Sequence, residues 1–220
     1  MSVRRRLLLS GLRGFFRAFT RCEVSGRENI PAAGPLLLVF NHLAYLDGPL
    51  VLAMMPFEVE GIGLSEVLRV PIIGQLLRLY GVIPVHRDEY DREVLRRALQ
   101  VLDDGRILGL APEARMSPTG SMERGRNGAA YLALRSGAPL LPMGIVGTES
   151  VYSTWRRLRR PRITLEIGAP FQLSGPLARG AERRVQLEAG RREIMGRIAA
   201  LLPASYRGVY ACPEEGVRST

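Results

Sequence analysis

The sequence predicts an α/β fold, a single domain in which helices cover a largely parallel central sheet. Short apolar runs of strand length alternate along the chain with segments of helical periodicity, an order typical of parallel sheets with helical crossovers. Of the 220 residues, 46% are hydrophobic and 24% are charged, so the chain can bury one sizeable core. Because it contains no internal repeat or long linker, we expect one domain over residues 22–203 and a C-terminal tail over 204–220.

An amphipathic helix is predicted ahead of this domain, in residues 1–21. The stretch contains six arginines and no acidic residue. Its apolar residues recur at helical spacing, at Leu8, Leu12, Phe15, Phe16 and Phe19. Such a helix can lie in a membrane interface, with Leu and Phe buried and Arg facing anionic headgroups. The alternative is that the stripe packs on the core of the domain. We favour membrane association.

The first half of the domain alternates strands with helices. Apolar runs predict strands at 36–40, 61–64 and 81–85. The Gly-Pro-Leu-Val-Leu-Ala-Met-Met that follows Asp47 predicts a helix over 48–55. A second helix is expected over 67–80, with an interruption near Pro71, since proline breaks the hydrogen-bond ladder of a helix.

The second half continues the alternation. Further strands are predicted at 107–110, 140–146 and 162–167. Helices are predicted at 92–102, 125–135 and 179–202. The first of these helices has an apolar stripe at every third or fourth position, and the turn-forming Asp103-Asp104-Gly105 ends it.

His42 and Asp47 are the first candidates for catalysis. The chain has only two histidines, and this one follows a buried strand, where α/β proteins build their sites. Imidazole titrates near neutral pH, and a nearby carboxylate can orient the ring and stabilise its protonated form. A purely structural His–Asp hydrogen bond is the alternative. A metal site is not indicated, because two distant cysteines and two histidines supply too few ligands.

Four blocks in order extend this observation. They are Asn41-His42-xxxx-Asp47, Gly81-Val-Ile-Pro-Val-His-Arg87, Pro112-Glu113 and Ala138-Pro-Leu-Leu-Pro-Met-Gly144. Together they resemble the four motifs of the glycerolipid acyltransferases, the group that includes the 1-acylglycerol-3-phosphate acyltransferases. The resemblance runs from about Gly26 to Pro170.

The resemblance implies an acyltransferase of phospholipid biosynthesis. It would move a fatty acyl group from an acyl thioester, acyl-CoA or acyl-carrier protein, to the hydroxyl of a lysophospholipid, with 1-acylglycerol-3-phosphate as the expected acceptor. His42 would be the general base and Asp47 its orienting carboxylate. Arg87 would bind the acceptor phosphate, and Glu113 would shape the acceptor site. No cofactor beyond the acyl donor is expected.

Two positions depart from the family pattern. Where the family usually reads Pro-Glu-Gly-Thr-Arg-Ser, this chain has Pro112-Glu-Ala-Arg-Met-Ser117. Arg115 is therefore predicted to supply an extra phosphate contact; alternatively, the pocket accepts a different lipid. In the first motif, Ala44 replaces a common serine.

The absence of a nucleophile elbow favours one-step transfer. The sequence has no Gly-x-Ser-x-Gly, and neither cysteine is near His42 in sequence, so an acyl-enzyme is not expected. His86 is interpreted as a bystander, because alternation along a strand points it away from Arg87. A catalytically weak lipid-binding protein of the same fold and a hydrolase remain as alternatives.

The net charge of +10 points to acidic partners. Every cation is an arginine, whose planar fork suits phosphate. Anionic lipid, acyl-carrier protein and acyl-CoA fit this charge, whereas no nucleic-acid recognition motif is present. The stretch Trp155-Arg-Arg-Leu-Arg-Arg-Pro-Arg162 is a candidate second membrane contact. Because no segment has the roughly 20 apolar residues of a bilayer span, peripheral or monotopic attachment at the cytoplasmic side of the cell membrane is expected.

Overall fold

The computed structural model describes residues 3–65, 67–85 and 92–211, with the side chain of Leu64 left out. It confirms the predicted fold class, one α/β domain built on a seven-stranded sheet. The strands are β1 Arg21–Ser25, β2 Leu36–Phe40, β3 Glu60–Leu64, β4 Ile83–Val85, β5 Ile107–Leu110, β6 Leu140–Val146 and β7 Arg162–Ile167. The helices are α1 Val3–Phe19, α2 Asp47–Met54, α3 Ile73–Tyr80, α4 Arg92–Asp103, α5 Gly128–Ser136, α6 Val151–Trp155 and α7 Gly180–Ala200.

The strands are arranged in the order β1-β7-β6-β2-β5-β3-β4. Every neighbouring pair is parallel except β6 and β7, which are antiparallel. The carboxyl ends of β2, β5 and β6 therefore share one edge of the sheet, which we call the carboxyl edge. Because Val146 at the end of β6 pairs with Thr164 near the start of β7, the connection between these strands lies at the same edge.

The core has two layers, one on each face of the sheet. Alternate residues of β2 divide between them, with Leu36 and Leu38 on one face and Leu37 and Val39 on the other. The first layer lies under α1 and α2, and the second under α4, α5 and α7. Since β2 is buried along its whole length, it forms the centre of the domain.

Helix α1 packs on the first core layer. Leu9, Leu12 and Phe16 are buried there. The guanidinium of Arg5 donates to the Glu60 carboxylate, and that of Arg13 donates to two carbonyl oxygens at the end of α2. Part of the predicted apolar stripe therefore faces the protein, while Phe19 is 55% exposed. Membrane association of residues 1–21 stays a prediction.

Two elements were missed from the sequence. Strand β1 is short, and its residues alternate between exposed and half-buried at the sheet margin, so no apolar run marks it. Helix α6 has only five residues. The helix expected over 67–80 is divided near Pro71, as predicted, into a 3-10 turn at Val67–Arg69 and α3.

The domain continues into part of the predicted tail. Two 3-10 turns occupy Ala204–Tyr206 and Gly208–Tyr210, and their tyrosines pack against the second core layer. Cys212 and the residues after it lie outside the described residues. Across the ranges that the structure describes, no helix is both long and apolar enough to cross a bilayer.

Candidate active site

The loop that carries His42 is fixed to the sheet by Asn41. This fully buried amide follows β2 and makes two hydrogen bonds with Ile145 of β6. Its Nδ2 donates to the Ile145 carbonyl oxygen at 2.9 Å, and its Oδ1 accepts from the Ile145 N–H at 2.7 Å. The next side chain, that of His42, lies at the carboxyl edge and is 19% exposed.

Asp47 at the start of α2 is fully buried and holds the histidine ring. Its Oδ2 is 2.9 Å from His42 Nδ1 and also accepts the N–H groups of Leu43 and Ala44, at 2.6 and 2.7 Å. These N–H groups supply the hydrogen bonds that a buried carboxylate oxygen requires. A carboxylate at Nδ1 favours the tautomer that carries its proton there, which leaves Nε2 as the proton acceptor. The pair predicted from the sequence is thus assembled.

Thr148 is a site residue that the sequence analysis missed. Its hydroxyl donates to Asp47 Oδ1 at 2.5 Å, and the side chain is buried. The two residues are 101 positions apart, so no local spacing relates them. The available signal was topological, since Thr148 follows a strand that lies beside β2.

Glu113, which follows β5, is hydrogen-bonded to the backbone of the loop that carries His42. It is 2% exposed. Its Oε1 accepts the His42 backbone N–H at 3.3 Å, and its Oε2 accepts the Glu123 N–H at 3.0 Å. Burial is the main cause that raises the pKa of Glu113 to about 7, against the lowering effect of these two hydrogen bonds. Both oxygens are engaged within the protein, and a role in shaping the acceptor site stays a prediction.

Ala114 and Arg115 are the two residues that depart from the family's third motif. Ala114 has a φ of +54°, a left-handed conformation that glycine adopts at lower cost. Arg115 is half-exposed, and its guanidinium forms an ion pair with Glu123. The predicted phosphate contact would therefore compete with this pair. Arg87, the other predicted phosphate ligand, lies outside the described residues, as does His86.

A largely apolar cavity of about 490 Å³ opens beside His42. Side chains from α2, β3, α3 and α4 line it, among them Val51, Leu52, Ile62, Leu77, Val94 and Leu95. Gly61 and Gly109 of the sheet also line it, and their lack of side chains leaves space inside. The arrangement combines a proton acceptor with room for a long apolar group. In the part of the chain that the structure describes, no cluster of three His, Cys, Asp or Glu residues could hold a metal ion.

Comparison with known proteins agrees with the motif resemblance. The family model described as Acyltransferase matches residues 21–146, more than half of the chain. A chloroplastic 1-acyl-sn-glycerol-3-phosphate acyltransferase of Brassica napus is 27% identical over 139 residues, 62% of this chain and 40% of that protein. A 1-acyl-sn-glycerol-3-phosphate acyltransferase of Borreliella burgdorferi is 28% identical over 134 residues, 59% of this chain and 52% of that protein. The chain thus spans about half or less of the length of these relatives.

A solved structure has the same fold. It is the crystal structure of the 1-acyl-sn-glycerophosphate acyltransferase PlsC from Thermotoga maritima, with a TM-score of 0.61 and 24% sequence identity. The match covers 86% of this chain and 79% of that one. At this identity the likeness concerns the fold alone.

Proposed function

Because the chain belongs to the acyltransferase family, we propose that it transfers a fatty acyl group from acyl-CoA or acyl-carrier protein to the hydroxyl of 1-acylglycerol-3-phosphate. The observation that carries this proposal is the His42–Asp47 pair at 2.9 Å beside an apolar cavity. The relatives from Brassica napus and Borreliella burgdorferi are 1-acyl-sn-glycerol-3-phosphate acyltransferases, which supports the same acceptor.

The proposed reaction uses Nε2, the ring nitrogen of His42 that does not face Asp47. His42 Nε2 takes the proton of the acceptor hydroxyl as its oxygen attacks the thioester carbonyl carbon. A C–O bond forms, and the carbonyl oxygen becomes an oxyanion that backbone N–H groups can stabilise. When this tetrahedral species collapses, the C–S bond breaks and the thiolate leaves with the proton from the imidazolium. The buried Asp47 carboxylate stabilises that imidazolium while it exists.

The cavity is suited to the acyl chain. A fatty acyl group loses its contact with water when it enters an apolar cavity, and each buried methylene contributes about 0.8 kcal/mol. The thioester carbonyl would then lie at the mouth, next to His42. For the acceptor, Arg87 and Arg115 are the proposed phosphate ligands. Glu113 would shape the acceptor site through its hydrogen bonds to the backbone of His42 and Glu123.

Attachment to the cytoplasmic side of the membrane belongs to the same proposal. The acceptor is an amphiphile that resides in bilayers, and the chain carries a net charge of +10, which favours anionic surfaces. Attachment would be peripheral or monotopic.

Acyl transfer by His42→Ala and Asp47→Asn tests this function. Purified chain in detergent would be incubated with labelled acyl-CoA or acyl-carrier protein and a panel of lysolipids, and the products identified. We expect His42→Ala to lose about 10²–10⁴-fold in kcat, the usual contribution of a general base, and Asp47→Asn to lose less. Asp104→Asn, at an exposed aspartate just after the end of α4, is the matched control.

Two outcomes would contradict the proposal. Folded His42→Ala protein with substantial transfer would remove the general base. Release of free fatty acid by the wild type without any lysolipid acceptor would indicate a hydrolase instead. Thermal melting of each variant separates loss of activity from loss of fold.

A further inference from the structure

The connection from β6 to β7 places a second surface beside the active site. We call residues 151–162 the arginine segment. It begins three residues after Thr148, whose hydroxyl binds Asp47, and ends at the start of β7. Both ends lie at the carboxyl edge, so the segment and His42 occupy the same side of the molecule.

Apolar side chains on this surface are exposed to water. Leu158 is 98% exposed, and its φ of +54° is a left-handed conformation that a leucine rarely adopts. Tyr152 is 73% exposed, and Phe19, at the end of α1, is 55% exposed. A leucine held outward in this way makes few contacts with its own domain, so its apolar surface is available to a partner.

The charge around Leu158 has one sign. Arg156, Arg157, Arg159 and Arg160 flank it, and the arginine segment contains no acidic residue. Within the described residues, none of these four has a carboxylate partner; Arg162 alone pairs with one, that of Glu23. The uncompensated guanidinium groups would attract phosphate or another anion.

The surface is fixed to α1. Trp155 Nε1 donates to the Phe19 carbonyl oxygen at 2.9 Å, and its ring meets that of Phe15 edge-on at 5.7 Å. Arg160 donates to the carbonyl oxygens of Arg17 and Thr20. The end of α1 and the arginine segment therefore form one connected surface, which we call the platform.

We propose that this platform docks on an anionic bilayer, with Leu158 inserted among the lipids and the arginines on the phosphate headgroups. A protruding apolar tip surrounded by arginines and an interfacial aromatic matches the boundary between headgroups and acyl chains. Docking this edge would place the side of the molecule that carries His42 against the membrane. The benefit to catalysis rests on the proposed function, because an amphiphilic acceptor would then reach His42 without leaving the bilayer.

Vesicle binding by Leu158→Glu tests the docking surface. Full-length protein would be sedimented with vesicles of phosphatidylcholine, with or without phosphatidylglycerol. We expect Leu158→Glu to weaken binding to the anionic vesicles by at least about tenfold, through lost burial and added repulsion. Replacing Arg156, Arg157 and Arg159 together by Gln should weaken it by a comparable factor and reduce its dependence on salt.

Val185→Glu is the control, since Val185 on α7 is 68% exposed and α7 covers the opposite face of the sheet. It should bind as the wild type does. His42→Ala should also bind, which separates docking from the proposed reaction. The proposal is overturned if folded Leu158→Glu binds anionic vesicles as tightly as Val185→Glu. Binding to acyl-carrier protein would be measured in parallel. The proposal is also overturned if both platform variants bind anionic vesicles as the wild type does and lose binding only to that acidic protein.

Discussion

At the scale of single residues, the hydroxyl of Thr148 determines how well Asp47 is held. Thr148→Val keeps the shape and leaves Asp47 Oδ1 without its donor. A buried carboxylate oxygen without a partner costs about 1–3 kcal/mol, and a less firmly held Asp47 orients His42 less well. We expect about tenfold lower kcat and a lower melting temperature for Thr148→Val.

Thr148→Ser restores the donor and should recover most of both losses. Thr164→Val, a similar exchange on the half-buried strand β7, is the control. If Thr148→Val matches the wild type in kcat and in melting temperature, the backbone N–H groups suffice to hold the carboxylate. Steady-state kinetics and a thermal melt of the four proteins decide the matter.

Glu113 gives the stability a pH dependence of unusual sign for a carboxyl group. Its pKa is about 7 in the fold against 4.5 as the ordinary value. Between these values the folded state binds more protons than the unfolded state, so the free energy of unfolding falls as pH rises from about 4.5 to 7. The shift corresponds to at most about 3 kcal/mol.

Glu113→Gln should flatten this dependence, because an amide does not titrate in that range. The side-chain NH₂ group of Gln would face one of the two backbone N–H groups that donate to Glu113. Because two donors cannot form a hydrogen bond with each other, the variant should also be less stable at pH 5. Urea unfolding at a series of pH values measures both effects. An unchanged slope between pH 4.5 and 7 would mean that another group causes it.

At the scale of elements, α1 belongs to the domain core as much as to any membrane contact. Leu12 is 9% exposed and packs in the first core layer, whereas Leu7 of the same helix is 69% exposed. Leu12→Ala should cost about 2–5 kcal/mol of unfolding free energy, and Leu7→Ala less than about 1 kcal/mol. Chemical denaturation of the two variants measures these losses. Equal losses of unfolding free energy would mean that α1 is not packed on the core in solution.

This geometry also changes how membrane association should be tested. Deleting residues 1–21 would remove Leu9, Leu12 and Phe16 from the core, so a loss of binding would be confounded with unfolding. Substitutions at exposed positions such as Leu7 and Phe19 avoid that difficulty.

The elements that the sequence predicted are those whose signals are local. Strands β2, β5 and β6 are visible in the sequence as continuous apolar runs, and α4 is visible as an apolar stripe of helical periodicity. Strand β1 was missed because its pairing with β7 joins residues about 140 positions apart, as in the Arg21–Arg162 pair. The position of α1 stayed open because a basic amphipathic stripe has the same spacing on a core as on a membrane.

The site residues also fall into two groups, those with a local signal in the sequence and those without one. His42 and Asp47 are five residues apart, so their pairing was predictable from spacing and a motif. Thr148 and the Glu113 bonds to His42 and Glu123 depend on which strand ends share the carboxyl edge, and that follows only from the sheet order. The ion pair of Arg115 with Glu123 was likewise invisible, because neither motif nor periodicity relates the two residues.

At the scale of the whole molecule, the sheet and the helices form a cavity. The length of this cavity should determine the length of the acyl chain that the protein accepts. Gly61 lines that cavity from β3, and a Cβ atom there would lie 3.5 Å from Val82 Cγ2, an ordinary contact. The backbone at Gly61 thus tolerates a side chain, while the space beyond it is removed. Gly61→Val should therefore shift preference toward shorter acyl donors.

The expected size of the shift follows from the lost burial. Each methylene excluded from the cavity forfeits about 0.8 kcal/mol, or roughly fourfold in kcat/KM for long donors. Gly196→Ala, at an exposed and open position of α7, is the control and should leave the profile unchanged. The measurement is kcat/KM against a series of acyl-CoA chain lengths. If Gly61→Val lowers kcat/KM equally for every length, the chain does not lie along β3, and the acyl group must occupy another part of the surface near His42.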